Sequence, residues 1–118
     1  MSANGTFKPS GIVGAIRYMA PEVFLGKPYN LSIDTYSFAL LLWEILALER
    51  PFADIGGFLE DFEHHVIGGG LRPTYQDEWP EPMWDMMVKS WSSDISLRPK
   101  MIFVAGMLRR ELKMWTES

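Results

Sequence analysis

Between Ile33 and Leu46 the chain is apolar at almost every position. Ile33, Tyr36, Phe38, Leu40, Leu41, Leu42, Trp43, Ile45 and Leu46 cover nearly the whole circumference of a helix. A helix that is apolar on all sides has to be wrapped on all sides, so this segment is predicted to be a central, buried pillar. Asn30 or Ser32 can cap its start, and Pro51 stops it. Upstream, Pro21 suits the first position of a short helix through Phe24 and Leu25, which Gly26, Lys27 and Pro28 end. Downstream, Phe58, Leu59, Phe62 and Val66 share one face of a weaker amphipathic helix, with Glu60, Asp61 and Glu63 on the other and Gly68, Gly69 and Gly70 at its end. After a proline-rich connector, Met83, Trp84, Met87, Val88 and Trp91 recur at helical spacing, with Asp85 and Lys89 on the wet side. A last helix, from about Lys100, is expected to bury Ile102, Ala105, Leu108, Leu112 and Trp115 and to expose Arg109, Arg110, Glu111 and Lys113. No stretch alternates with period two for long enough to make a sheet. The predicted fold class is all-α, a central buried helix wrapped by shorter helices.

Composition narrows the function classes more than the fold. With 118 residues, 47% hydrophobic and 14% aromatic, the chain suits one small domain with an ample core. A net charge of -4, with the eleven Lys and Arg residues scattered, leaves no basic footprint for nucleic acid or anionic lipid. The longest apolar stretch, residues 38–48, is interrupted by Glu44 and falls well short of the roughly 20 residues a membrane span requires. The absence of cysteine excludes disulfides and thiolate metal sites. Residues 1–8 are polar and lack the apolar segment of a signal peptide, so the expected location is cytoplasmic.

Several constellations that might carry chemistry do not. His64 and His65 are adjacent, so on a helix they diverge, and no facing carboxylate completes a metal site with them. The glycines at 68–70 end a helix instead of opening one and no Lys-Ser/Thr follows, so they do not cradle phosphate. Asp77 and Glu78 sit in a proline-flanked loop and read as solvated charges, and Trp91 reads as core.

What remains is an ordered set of motifs. Arg17-Tyr18-Met19-Ala20-Pro21-Glu22 is followed by an apolar helix opening at Asp34, and later by Trp91 and Arg98-Pro99. This order and spacing, over residues 11–115, resemble the C-terminal lobe of a eukaryotic protein kinase domain. Tyr36-Ser37-Phe38 with Leu42-Trp43-Glu44, and Gly14 ahead of Arg17-Tyr18-Met19, are most similar to the tyrosine-kinase-like branch, whose members mostly phosphorylate Ser and Thr. On this resemblance residues 1–13 are a loosely ordered activation-segment remnant and residues 14–118 a partial kinase domain. About twenty residues precede Ala20-Pro21-Glu22, and they contain no Gly-rich loop, strand lysine, His-Arg-Asp or Asp-Phe-Gly.

The resemblance assigns roles residue by residue. Gly14, Ala15, Ile16, Arg17 and Tyr18 match the loop that positions the peptide substrate. Glu22 matches a glutamate that pairs with the arginine matching Arg98; unpaired, both would be ordinary solvated charges. Asp34 matches an aspartate that anchors the catalytic loop, although an Asp in a first helical turn is also a good dipole partner. Leu41 and Ile45 match the anchors of two hydrophobic spines. Ala15 departs from the pattern, because Ser/Thr-type kinases usually carry a hydroxyl there and alanine cannot supply its hydrogen bond. Ala39 replaces a common glycine and favours helix. Thr6 and Ser10 lie where an activation-loop phosphosite would be, but the arginine that would pair with it is absent.

Two functions follow as expectations. In the first, the chain is part of a kinase whose full-length parent transfers a phosphoryl group from Mg-ATP to protein Ser/Thr hydroxyls. The chain alone then has no catalytic or metal-binding residue, binds no cofactor, is inactive, and partners a protein substrate and the missing N-terminal kinase portion. In the second, it is a non-catalytic remnant, a pseudokinase that acts as a protein-interaction domain. Either way, loss of the catalytic loop leaves the pillar short of one covering surface, so a marginal, self-associating monomer is expected. No nucleic-acid or membrane partner is expected.

Overall fold

The computed structural model describes residues 16–55, 59–76 and 78–117. Thr6, Ser10, Gly14, Ala15, Phe58 and Asp77 lie outside these, as does the side chain of Trp115. Five α-helices occur among the described residues and no strand: α1 (Pro21–Phe24), α2 (Ser32–Ala47), α3 (Leu59–Phe62), α4 (Glu81–Ser90) and α5 (Met101–Glu117). The all-α expectation therefore holds.

Local chemistry explains the boundaries. Pro21 opens α1, and Gly26 at φ 71° closes it, with Gly26 N–H donating to Val23 O (3.1 Å) and Lys27 N–H to Glu22 O (2.9 Å). This double return needs a left-handed residue, which glycine supplies without strain. At the start of α2 the Asn30 side chain accepts from Ser32 N–H at 2.9 Å, although the cap position itself is Leu31, which makes no side-chain cap bond. Leu48, left-handed at φ 58°, closes α2, and Pro51 is buried just beyond. α3 runs straight into a π-helical turn, Glu63–Gly68. At Gly69 a Cβ would come 2.8 Å from the His65 carbonyl, so no larger residue fits there.

Helix α2 is central but not wrapped. Thr35, Tyr36, Ala39, Leu40 and Trp43 are buried along one stripe, against which α4 and α5 pack. On the other side Leu41 is 44% exposed, Ile45 67% and Leu48 88%, with Asp34 exposed in line with them. Among the described residues the pillar is thus left short of cover at Leu41 and Ile45, the gap expected without a catalytic loop. Apolarity states which faces would gain from cover, while among the described residues α4 and α5 cover the buried stripe, residues 16–18 reach a flank at Ser37 and Glu44, and Leu41 and Ile45 stay largely exposed.

Around the buried stripe the core is built from Phe52, Phe62, Val66, Met83, Met87, Trp91 and Val104. Helix α3 and its π-turn bury Phe62 and Val66, with Leu59 at the rim. Helix α4 buries Met83, Met86 and Met87, leaves Val88 42% exposed, and carries an exposed Asp85–Lys89 ion pair at 2.9 Å. Such i,i+4 pairs contribute only a few tenths of a kcal/mol. Helix α5 departs from the expected register: Val104 is its buried residue, while Ile102 is 73% and Leu112 52% exposed. Its seam runs through Val104, Met107 and Leu108, of which Leu108 belongs to the predicted face. Ile102 and Phe103 are apolar yet largely exposed among the described residues. No described helix is long and apolar enough to cross a membrane.

Replacing both Leu41 and Ile45 by serine is expected to reduce self-association and apolar-dye binding while changing stability by no more than about 0.5 kcal/mol, as for surface positions. Sedimentation velocity and a thermal melt check this. An oligomer unchanged by the double substitution would place the contact elsewhere.

Candidate functional site

The site grows from the segment just ahead of α1. A tight turn (Met19 N–H to Ile16 O, 2.9 Å) presents residues 16–18, and two hydrogen bonds fasten them to α2. The Ser37 hydroxyl donates to Tyr18 O at 2.6 Å, and the Tyr18 hydroxyl donates to the Glu44 carboxylate. Ser37 and Glu44 lie seven positions apart, two turns along one face of α2, which is why one short segment reaches both. Ile16, Arg17 and Tyr18 are all half-buried, and Arg17 Nε is buried without a hydrogen-bond partner.

Directly after this segment stands Glu22. Arg98 donates to both its carboxylate oxygens, Nη1 at 2.6 Å and Nη2 at 2.9 Å, with the two side chains 6% and 0% exposed. The same guanidinium donates through Nε to Ser92 O (3.0 Å) and through Nη1 to Ser32 O (3.5 Å). One arginine thereby joins α1, the start of α2 and the segment after α4. A bidentate, charge-assisted pair is among the stronger polar contacts available to a protein.

Sequence reading missed two further members. Arg72 donates to Trp91 O, Leu71 O and Val66 O and to Ser93 Oγ. Its guanidinium carbon lies 5.2 Å from the Tyr36 ring centroid, and that of Arg98 lies 5.1 Å from the same ring. Tyr36 is fully buried and its hydroxyl has no partner. The one local sign was an arginine between the glycine run and Pro73 with no acidic residue a turn away.

Titration follows from these contacts. Burial pushes the Glu22 carboxyl up, but the Arg98 hydrogen bonds, its own backbone N–H and the charges of Arg98 and Arg72 outweigh it and hold the group below its usual value. Its stabilisation is complete above the unfolded value, roughly 4.3, and is lost as pH falls through the folded one. Tyr18 is raised by burial, then by its hydrogen bond to Glu44 and that carboxylate's charge, and Tyr36 is raised by burial. Their contribution is complete below the unfolded phenol value, about 10, and is lost as pH rises through the folded values. The thermal midpoint is expected to be level near neutrality and to fall at both extremes, with Tyr18→Phe and Tyr36→Phe flattening the alkaline limb. A wild-type midpoint still level at pH 11, followed by circular dichroism, would count against this.

Asp34, Leu41 and Ile45 lie on the open face of α2, Asp34 at the end nearer the Glu22–Arg98 pair. A concavity of ≈ 720 Å³ opens beside Asp34, lined also by Asn30, Ser32, Thr35, Arg98 and Lys100. His64 and His65 are exposed, with their rings edge to face at 4.9 Å. Among the described residues no group of three or more His, Asp or Glu side chains converges to hold a metal ion.

Comparison with known proteins decides what this arrangement is. The sequence profile of the family described as protein tyrosine and serine/threonine kinase matches residues 4–108. The chain belongs to the protein kinase family. It is 34% identical over 110 residues to the serine/threonine-protein kinase VIK of Arabidopsis thaliana, covering 92% of this chain and 24% of that relative. It is 38% identical over 88 residues to human mitogen-activated protein kinase kinase kinase 7, covering 75% of this chain and 14% of the relative. With the dual specificity protein kinase shkB of Dictyostelium discoideum it shares 30% identity over 99 residues, 84% of this chain and 15% of the relative. The chain thus spans a quarter or less of the length of these kinases. What it holds is the helical part of the kinase fold.

Among the described residues no converging acids stand that could hold the metal of Mg-ATP, the family's phosphoryl donor. The glycines at 68–70 lie at the C-terminal end of a helical turn, where orphan carbonyls and not N–H groups face outward.

Proposed function

We propose that this chain is the C-terminal, helical part of a Ser/Thr-type kinase domain, in which it positions the peptide substrate and braces the lobe. In the parent, residues 14–18 lie alongside the peptide that carries the acceptor hydroxyl, and Glu22 with Arg98 holds that loop to the helical scaffold. Mg-ATP, the metal ligands and the catalytic base belong to upstream sequence, so no chemical step is assigned to these residues.

The observation that carries the reading is the open face of α2. Asp34, Leu41 and Ile45 are exposed on an otherwise core-forming helix, and they match the positions that anchor the catalytic loop and the spines in the resemblance. An apolar face on a central helix is what remains when the elements that cover it are elsewhere in the chain. The name of the Arabidopsis relative supports a Ser or Thr acceptor, and the dual specificity in the name of the Dictyostelium relative marks acceptor choice as a point to test. The location that goes with this reading is cytoplasmic.

Sequencing the transcript upstream of the Met1 codon tests it. The expected result is an open frame running back through Asp-Phe-Gly, His-Arg-Asp and a strand lysine. A stop codon immediately upstream would favour the second reading, a non-catalytic interaction domain, which Ala15 supports by removing a hydroxyl the reaction uses. The 118-residue chain is expected to show no micromolar affinity for Mg-ATP by calorimetry, and such affinity would defeat both readings.

A further inference from the structure

Arg72 donates no hydrogen bond to residues 16–27, yet it stands one ring away from the arginine that holds them. Its own position is fixed by the carbonyls of Val66 (3.3 Å), Leu71 (2.8 Å) and Trp91 (2.8 Å) and by Ser93 Oγ (3.1 Å). These acceptors come from the π-turn, the connector after it and the end of α4, three segments that would otherwise each need their own anchor. The planar fork of an arginine can serve several acceptors at once where a lysine cannot.

Between Arg72 and Glu22 lie Tyr36 and Arg98. The Tyr36 ring sits 5.2 Å from one guanidinium carbon and 5.1 Å from the other. Two cations around one buried ring repel each other, and the negative potential of the ring's face offsets part of that repulsion. The Tyr36 hydroxyl makes no hydrogen bond although it is buried, so what this residue contributes is its ring. The Arg98 guanidinium is therefore set on one side by Glu22 and Ser92 O, and on another by a ring that Arg72 also contacts.

We propose that Arg72 is a positioning residue for the substrate-side segment: through the Tyr36 ring and Arg98 it fixes Glu22, and with Glu22 the residues 16–18 just ahead of it. The connector at residues 70–76 and the segment at residues 16–27 are then coupled, so that a displacement of one loosens the other. The bearing of this coupling on phosphoryl transfer rests on the kinase reading, whereas the coupling itself does not.

Hydrogen exchange on the 118-residue chain tests it, with Arg72→Gln, Arg72→Lys, Tyr36→Leu, Tyr36→Phe and, as a control for general loosening, Val104→Ala. In Arg72→Gln and Tyr36→Leu the amides of Met19, Leu25 and Lys27 are expected to exchange at least tenfold faster, out of proportion to the rest of the core. Tyr36→Phe keeps the ring and is expected to match the wild type. Arg72→Lys keeps the charge but not the fork and is expected to fall between. The Glu22 carboxyl, followed by carbon NMR, is expected to titrate at higher pH in Arg72→Gln and Tyr36→Leu but not in Val104→Ala. Acceleration confined to residues 66–76 and 91–93, or spread evenly as in Val104→Ala, would overturn the proposal. If Arg72→Gln does not fold, the contrast of Tyr36→Leu with Tyr36→Phe decides, together with Arg72→Lys. These readouts need no nucleotide, so absence of an upstream kinase half leaves them unaffected, and their failure leaves the kinase reading standing.

Discussion

Arg98→Ala is expected to cost about 3–5 kcal/mol, the range for removing one partner of a buried, hydrogen-bonded ion pair. Glu22 would be left charged and 6% exposed, with no other cation bonded to it, and the Ser92 carbonyl would lose its donor. A domain of this size is stable by only about 5–15 kcal/mol in total, so the substitution removes a large share of the folding free energy. Arg98→Lys is expected to recover only part of the loss, because an ammonium cannot reproduce two parallel bonds at 2.6 and 2.9 Å. Urea unfolding followed by tryptophan emission checks the series, and a cost under 1 kcal/mol for Arg98→Ala would mean that the pair is solvated.

Phe62→Ala is the second large effect, about 3–5 kcal/mol, as expected for truncating a fully buried phenylalanine. Its ring stands edge to face with Phe52 at 5.8 Å and tilted against Phe24 at 6.4 Å, so it joins α1, the loop after α2 and α3. Phe52 itself is held at φ 61°, an unfavourable conformation for a bulky side chain that depends on the packing around it. Removing Phe62 therefore leaves a cavity and also withdraws support from a strained residue. Phe62→Leu, which fills most of the space, is expected to cost clearly less. Equal midpoints for the two variants in denaturant would exclude the cavity explanation.

Much of this architecture is legible in the chain because helix periodicity and turn chemistry are local. Pro21, Gly26, Asn30, Pro51 and the glycines at 68–70 mark boundaries through backbone preferences that act within a few residues. Burial is decided by what lies opposite, which the local pattern of α2 and α5 does not contain. Leu41 and Ile45 are as apolar as Leu40 yet stay 44% and 67% exposed, and Val104 takes the contact expected of Ile102. The functional constellation is less local still. Glu22 and Arg98 are 76 positions apart, and only resemblance to a family suggested that they meet. Tyr36 reads in the sequence only as a core residue and part of Tyr36-Ser37-Phe38, and Arg72 belongs to no motif, because an arginine bound mainly to carbonyls leaves no complementary charge to find.

Four of the five tryptophans form one relay. Trp43, Trp79, Trp84 and Trp91 follow one another with ring centroids 6.4, 6.3 and 5.5 Å apart, Tyr75 lies beside the middle pair, and the Trp43 indole donates to Thr74 O. Transition dipoles this close mix, and excitation absorbed by one indole passes to the next. The near-ultraviolet spectrum of this chain is therefore a collective property of α2, the connector and α4. Lifting the connector away breaks the relay in its middle, so light reports the docking of that strap apart from the melting of the helices it joins.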